Sequence, residues 1–174
     1  HVAGTKGKGS TAIMCDAIGR KRYGWTTGLF TSPHLLDVRE RIRINGRPVH
    51  RTVFAQAYWH VRRRLEAATA NDDTTSYDAS LPILPGYFRM LTLVALYIFQ
   101  HLTEPTVDVV ILEVGLGGRY DATNILDMHH NQAVAAGVTL LDYDHVRVLG
   151  HRLEQIAWEK GGIFQVKKGG ASSP

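Results

Sequence analysis

His1-Val2-Ala3-Gly4-Thr5-Lys6-Gly7-Lys8-Gly9-Ser10-Thr11 opens the chain. An apolar pair runs into a turn of alternating glycine and lysine, and a helical pattern follows from Ser10 to Arg22. A strand that ends in such a turn offers backbone N–H groups and the positive end of a helix to an anion. Glycines let the backbone approach a phosphate closely. Lys8 can reach the β- and γ-phosphates, and Ser10 or Thr11 can put a hydroxyl on Mg²⁺. Gly4, Thr5, Lys6, Gly7, Lys8, Gly9, Ser10 and Thr11 are therefore candidate ATP-binding residues. The strict P-loop pattern is not met. Gly9 stands where Ser or Thr should follow Gly7-Lys8, and the pattern's first glycine would fall on Val2. The plainer reading is a flexible basic turn at a helix start.

Working outward, Ile13, Ala17 and Ile18 mark the apolar side of the first helix, which Tyr23-Gly24 stops. Thr26–Thr31 reads as a short strand. Ser32-Pro33 opens an irregular basic segment to Pro48, with an alternating piece at Arg41–Ile44 closed by Asn45-Gly46. Thr52 is placed to cap a helix over Val53–Ala68, where Val53, Ala57, Val61 and Leu65 recur every four residues. Asn71–Pro85 is polar with two prolines, a loop or an insertion. Gly86–His101 is apolar nearly all round and predicts a buried helix. Val107–Val114 and Ala133–Leu140 read as central strands, and His151–Lys160 as a last helix before Gly161-Gly162. Strands alternating with helices predict an α/β fold with a mostly parallel sheet flanked by helices.

Composition narrows the function classes. The chain has 174 residues, 44% hydrophobic and 21% charged, as ordinary globular domains do. A net charge of +4 without long runs of one sign gives no ground for a nucleic-acid partner. The lone cysteine, Cys15, excludes an internal disulfide framework and a Cys-rich metal site. No apolar stretch approaches the roughly 20 residues of a membrane span. The ends, with His1 at a strand tail and a Gly/Ser-rich close, lead us to expect a piece of a longer protein rather than a complete short domain.

Three further residues deserve weighing as site candidates. Glu113 closes a predicted central strand, at the edge where open α/β sheets gather ligands, and a carboxylate there suits Mg²⁺. A strand-end carboxylate paired with a lysine is the equal alternative. His145 follows a predicted strand in Asp144-His145, although imidazole is an unusual ligand for a hard cation. Lys160 reads as a cation at a helix C-terminus, favoured by the macrodipole. In the basic segment, Ser32, Pro33, His34, Arg39, Arg41 and Arg43 form a mobile loop able to cover a polyanion, or simply a solvated one. Trp59, Trp158, Tyr87 and Phe88 read as packing, and Arg62–Arg64 as a solvated helix face.

Gly4–Ser10 resembles the variant phosphate loop of the Mur ligase superfamily. Within it, Thr31-Ser32-Pro33-His34-Leu35 with Arg39–Gly46 resembles the folylpolyglutamate synthase family, of the eukaryotic kind. Glu113–Asn124, Asp144-His145 with Leu149-Gly150, and Ile156–Phe164 extend the match. Only Asn71–Pro85, Met128–Gln132 and the last eight residues lack a counterpart.

The resemblance implies a P-loop-like ATP-binding domain over residues 1–174, with the basic loop at 32–46, an insertion at 71–85, and no C-terminal ligase domain in the chain. It implies a ligase that uses ATP to activate the γ-carboxylate of a reduced folate as an acyl phosphate, which L-glutamate then captures. Lys8, His145 and Lys160 take catalytic roles in that scheme. Ser10, Glu113 and His145 hold magnesium, with room for two Mg²⁺ ions and a monovalent cation, and Lys160 is carbamylated. Ser32, Pro33, His34, Arg39 and Arg41 belong to a loop coupling folate to activation. The whole enzyme is expected to be monomeric, cytoplasmic or mitochondrial or both, without nucleic-acid partners. Dihydrofolate synthesis, another Mur-type ligation, and nucleotide binding without ligation are the competing readings.

Overall fold

The computed structural model describes residues 1–70, 84–125 and 135–164. Most of the predicted insertion at 71–85, the start of the predicted strand 133–140 and the terminal 165–174 lie outside the described residues. The chain divides into two compact units, residues 1–13 with 112–174, and residues 14–111.

In the first unit, strand β1 (Val2–Ala3) pairs in parallel with β6 (Gly137–Val138), matching Val2 to Gly137 and Ala3 to Val138. Val2 also forms a parallel bridge with Glu113. Ala3, Val114 and Ile163 are buried together, with Ala136 and Val138 packed against them. The unit also holds two short helices, α4 (Val146–Leu149) and α5 (Leu153–Gly161).

In the second unit the strand order is β4-β3-β2-β5. The strands are β2 (Thr27–Phe30), β3 (Ile42–Ile44), β4 (Arg47–Pro48) and β5 (Val109–Leu112), the last residue of which falls in the first unit. The alternating piece predicted before Asn45-Gly46 is β3, antiparallel to both β2 and β4. Asn45 and Gly46 both take positive φ, 50° and 76°, the backbone a tight hairpin turn demands. Helix α2 (Arg51–Ala70) packs on α3 (Tyr87–His101). Met90, Leu91, Val94, Ala95 and Ile98 give α3 a buried face, and each large side chain there contributes about 1.5–3 kcal/mol. A side chain at Gly28 would stand 2.7 Å from the Phe99 ring, so only glycine lets α3 seat on β2.

The fold is α/β, parallel at the glycine-loop strand and antiparallel through β3 and β4 at one edge. Some local expectations need correction. Helix α1 (Lys8–Tyr23) starts two residues early and buries Ala12, Asp16 and Gly19. Its predicted inner residues Ile13 and Ile18 are 45% and 54% exposed. Helix α2 starts at Arg51, so Thr52 lies inside it, and the His50 ring accepts from the Thr52 N–H. Helix α3 is not apolar to its neighbours all round, because Tyr87 faces solvent. Trp59 and Trp158 are exposed too; of the four aromatics predicted to pack, Phe88 does so, against Phe30.

Candidate phosphate-binding site

Gly4 has φ 142° and Gly7 has φ 86°, conformations that let the chain double back between β1 and α1. Thr11 N–H closes the first turn on the Gly7 carbonyl at 2.9 Å. The first turn of α1 contains no acidic residue, so its unsatisfied N–H groups and positive dipole end meet no built-in anion from that turn. Lys8 is half-buried at the helix start, while Lys6, Gly7 and Ser10 are exposed.

The segment leaving β6 straps this loop. Thr5 N–H bonds the Leu140 carbonyl at 2.8 Å. The Thr5 hydroxyl donates to the Asp142 carbonyl at 2.9 Å and accepts from the Asp142 N–H at 3.1 Å. The Thr139 hydroxyl lies 2.7 Å from the Lys6 carbonyl and 3.2 Å from that of Ala3. These contacts turn loop carbonyls aside, which a pocket for anions needs. Lys6 forms an ion pair with Asp142 at 3.0 Å. That pairing raises the Lys6 ammonium above its ordinary range and lowers the Asp142 carboxyl.

Glu113 is 4% exposed, and both its carboxylate oxygens lie 3.4 Å from where a side chain on Gly9 would begin. The carboxylate thus sits against the first turn of α1. Lys160 is 3% exposed and donates to the Gly4 carbonyl at 3.0 Å. It stands in the last turn of α5, as the sequence reading has it, but buried rather than in solvent. Burial pushes its ammonium down from the ordinary range; Lys8 adds to this and Asp144 opposes it. His145 takes a left-handed backbone, φ 49° and ψ 36°, costly for a residue with a side chain. Its ring lies 3.5 Å from Asp144, and both are about half exposed.

The donor chemistry fits Mg²⁺ in part. A buried carboxylate, Glu113, and the Ser10 hydroxyl in the helix's first turn are hard oxygen donors, and Mg²⁺ usually adds phosphate oxygens and waters to one or two carboxylates. Among the described residues no three His, Cys, Asp or Glu side chains form a metal cluster.

The loop Gly115–Asn124 is tied down by side chains. Asp121 accepts from the Leu116 and Thr123 N–H groups at 2.9 Å each, and Asn124 donates to the Arg119 and Gly162 carbonyls. Arg119 stacks 3.6 Å from the centre of the Trp158 ring.

The predicted substrate loop belongs to the second unit, and its cations are engaged internally. Arg39 forks onto Asp37 at 2.7–3.1 Å and reaches the Val49 carbonyl. Arg41 donates to His34 at 2.8 Å, and Arg43 to the Glu40 carbonyl. Ser32-Pro33 is a cis peptide. The expected mobile loop is internally braced. Sequence reasoning missed Thr139 and Asp142; the one available signal was their place, Thr139 at the end of the predicted strand 133–140 and Asp142 between that strand and His145.

Strand, glycine turn, helix start and buried carboxylate together define an α/β domain of the phosphate-loop class. The comparisons narrow that class. No family model matches the chain. It is 47% identical to the mitochondrial folylpolyglutamate synthase of Bos taurus over 165 residues, 95% of this chain and 26% of that protein. Its structure is similar to E. coli FolC in complex with ADP (TM-score 0.75, 38% identity, 96% of this chain and 35% of that one). The bifunctional folylpolyglutamate synthase/dihydrofolate synthase of Yersinia pestis gives TM-score 0.74 and 38% identity, over 96% of this chain and 35% of that one. The chain is homologous to folylpolyglutamate synthases, and it spans about a quarter of the length of the curated relatives it matches.

Proposed function

We propose that this chain is the ATP-binding part of a ligase that joins L-glutamate to the γ-carboxylate of a reduced folate. The observation that carries the reading is the Glu113 carboxylate set against the first turn of a glycine-loop helix, in a chain homologous to folylpolyglutamate synthases. The nucleotide assignment draws support from the ADP named with the E. coli relative.

In this reading the N–H groups of Gly4–Thr11 and the Lys8 ammonium hold the β- and γ-phosphates. A folate carboxylate oxygen attacks the γ-phosphorus, the bond to the ADP oxygen breaks, and an acyl phosphate forms. The amine of glutamate then attacks the acyl carbon, phosphate leaves, and the amine proton passes to solvent. Lys8 offsets charge that builds on the transferred group. Ser10 and Glu113, with His145, would hold Mg²⁺, which when bound neutralises phosphate charge. Burial of Lys160 favours its neutral amine, the form that adds to CO₂: the nitrogen lone pair bonds the carbon, a proton is lost, and an anionic carbamate results. His34, Arg39 and Arg41, with Ser32 and Pro33, belong to the folate-coupling loop by resemblance. The compartment is mitochondrial, as in the bovine relative's name, or cytoplasmic, and the whole protein acts as a monomer. No helix among the described residues is long and apolar enough to cross a membrane.

The test has two parts. Calorimetric titration with Mg·ADP should show binding that Lys8→Ala weakens at least about tenfold, of the order of a lost charge-assisted contact. The whole protein should then incorporate labelled glutamate into tetrahydrofolate with ATP consumed. Incorporation into dihydropteroate instead would favour dihydrofolate synthesis, the second activity named for the Yersinia pestis relative. Unchanged affinity in Lys8→Ala would remove the phosphate-loop assignment.

A further inference from the structure

One acidic group stands beside the anion-binding loop. The Asp142 carboxylate contacts Lys6, one of the loop's two lysines, at 3.0 Å. Its position is set by backbone: Asp142 N–H and C=O both bond the Thr5 hydroxyl, and Thr5 N–H bonds Leu140. A second bridge joins Lys6 itself to Leu140 in antiparallel fashion. The carboxylate is therefore held where the loop turns, with its other oxygen accepting from the Tyr143 N–H at 2.8 Å.

Such an ion pair contributes little to folding. Its side chains are 70% and 41% exposed, where ion pairs are weak and are screened by salt. Its effect on an arriving polyanion is larger in proportion, because it neutralises one loop ammonium and adds a like charge to the phosphates' surroundings.

We propose that Asp142 is a positioning residue that sets how tightly the loop holds a nucleotide, by keeping the Lys6 ammonium at the side of the loop in competition with phosphate. The inference rests on the nucleotide reading above. It divides the two lysines: Lys8 is the standing phosphate contact, and Lys6 is a reserve cation held by Asp142, with Asp144 acting on it more weakly.

The experiment is a cycle of Mg·ADP titrations on the purified protein. Asp142→Asn keeps shape and removes charge. It should tighten ADP binding about two- to fivefold at low salt, the scale of an exposed pair. The gain should fade as ionic strength rises to about 1 M, where screening is nearly complete. In a Lys6→Met background, adding Asp142→Asn should bring a smaller gain, because only the carboxylate's own repulsion of phosphate is then removed. Unchanged or weaker binding in Asp142→Asn, or a gain in Lys6→Met as large as in the wild type, overturns the proposal. Absence of ADP binding by the wild type, or indifference to Lys8→Ala, overturns the nucleotide reading and the proposal with it. The Asp142→Asn result alone leaves that reading standing.

Discussion

The Lys160 ammonium donates a 3.0 Å hydrogen bond to the carbonyl of Gly4. It thus ties α5 to the floor of the phosphate loop from a buried position. Burial lowers its pKa from the ordinary 10.5. Between that lowered value and 10.5 the unfolded chain holds more protons than the folded one. Stability from this site therefore rises with pH across that window and is reduced below it. Lys160→Met should abolish the rise. The check is the urea midpoint of wild type minus mutant, followed from neutral to alkaline pH; a flat difference would refute it.

Gly4 and Thr139 fit one another. A side chain at position 4 would run into the Thr139 hydroxyl oxygen and would have to adopt φ 142°. Gly4→Ala should therefore cost about 1–3 kcal/mol in backbone strain, with the loop's shape lost in addition. Thr139→Ala in the same chain should restore only part of the stability, because the Thr139 backbone nitrogen is itself 3.0 Å from that point. Thermal unfolding of the two single variants and the double variant measures this. Full rescue would mean that strain at φ 142° is negligible.

The carboxylate of Asp16 is 2% exposed and takes bonds from Arg20 at 2.8 and 3.0 Å and from the Thr27 hydroxyl at 2.5 Å. Removing Arg20 leaves a buried charge short of its partner, so Arg20→Met should cost about 3 kcal/mol. Thr27→Val should cost about 1–3 kcal/mol through the lost donor. Urea unfolding decides it. A loss below about 1 kcal/mol for Arg20→Met would class the pair with ordinary surface pairs.

Glu40 accepts from the N–H groups of Leu35, Leu36 and Asp37 at 2.8–3.0 Å, and these bonds hold its carboxyl below the usual range. Arg39 holds Asp37 at about 2. Both carboxylates stabilise the loop above their ordinary values, and the effect is lost as pH falls through their lowered values, about 2 for Asp37. Hydrogen exchange at Leu35–Asp37 should stay slow at pH 5 and quicken in Glu40→Ala at the same pH. Equal exchange in the two proteins would show that Glu40 does not brace the loop.

The parts of this molecule legible in sequence were those with a strong local cause. Gly4–Gly9 announces a turn at a helix start, and Asn45-Gly46 announces a hairpin. Val109–Leu112 is β-branched enough to be a strand by itself. Glu113 stands out in sequence by closing that strand, and the structure sets its carboxylate against the first turn of α1. What stayed hidden depended on partners far along the chain. Thr139 and Asp142 matter through Lys6 and Thr5, more than 130 residues away. Lys160 lies in the last turn of α5 as its sequence suggests, but nothing local reveals its burial or its bond to Gly4.

The first helix shows how periodicity misleads when the buried face is made of small and charged residues. Ile13 and Ile18 were the apolar choice, yet Ala12, Asp16 and Gly19 are buried. Gly19 would place a side chain 3.2 Å from Trp25 and 3.3 Å from Thr27, so that face is built for close approach. Two substitutions discriminate the faces. Ile18→Lys, at a position 54% exposed, should change stability by no more than about 0.5 kcal/mol. Ala12→Leu, at a position 0% exposed, should cost about 1–3 kcal/mol by overpacking. Urea midpoints measured on the two variants test the orientation directly. The reverse order of effects would mean that α1 is turned the way its hydrophobic pattern predicts, with Ile18 inside.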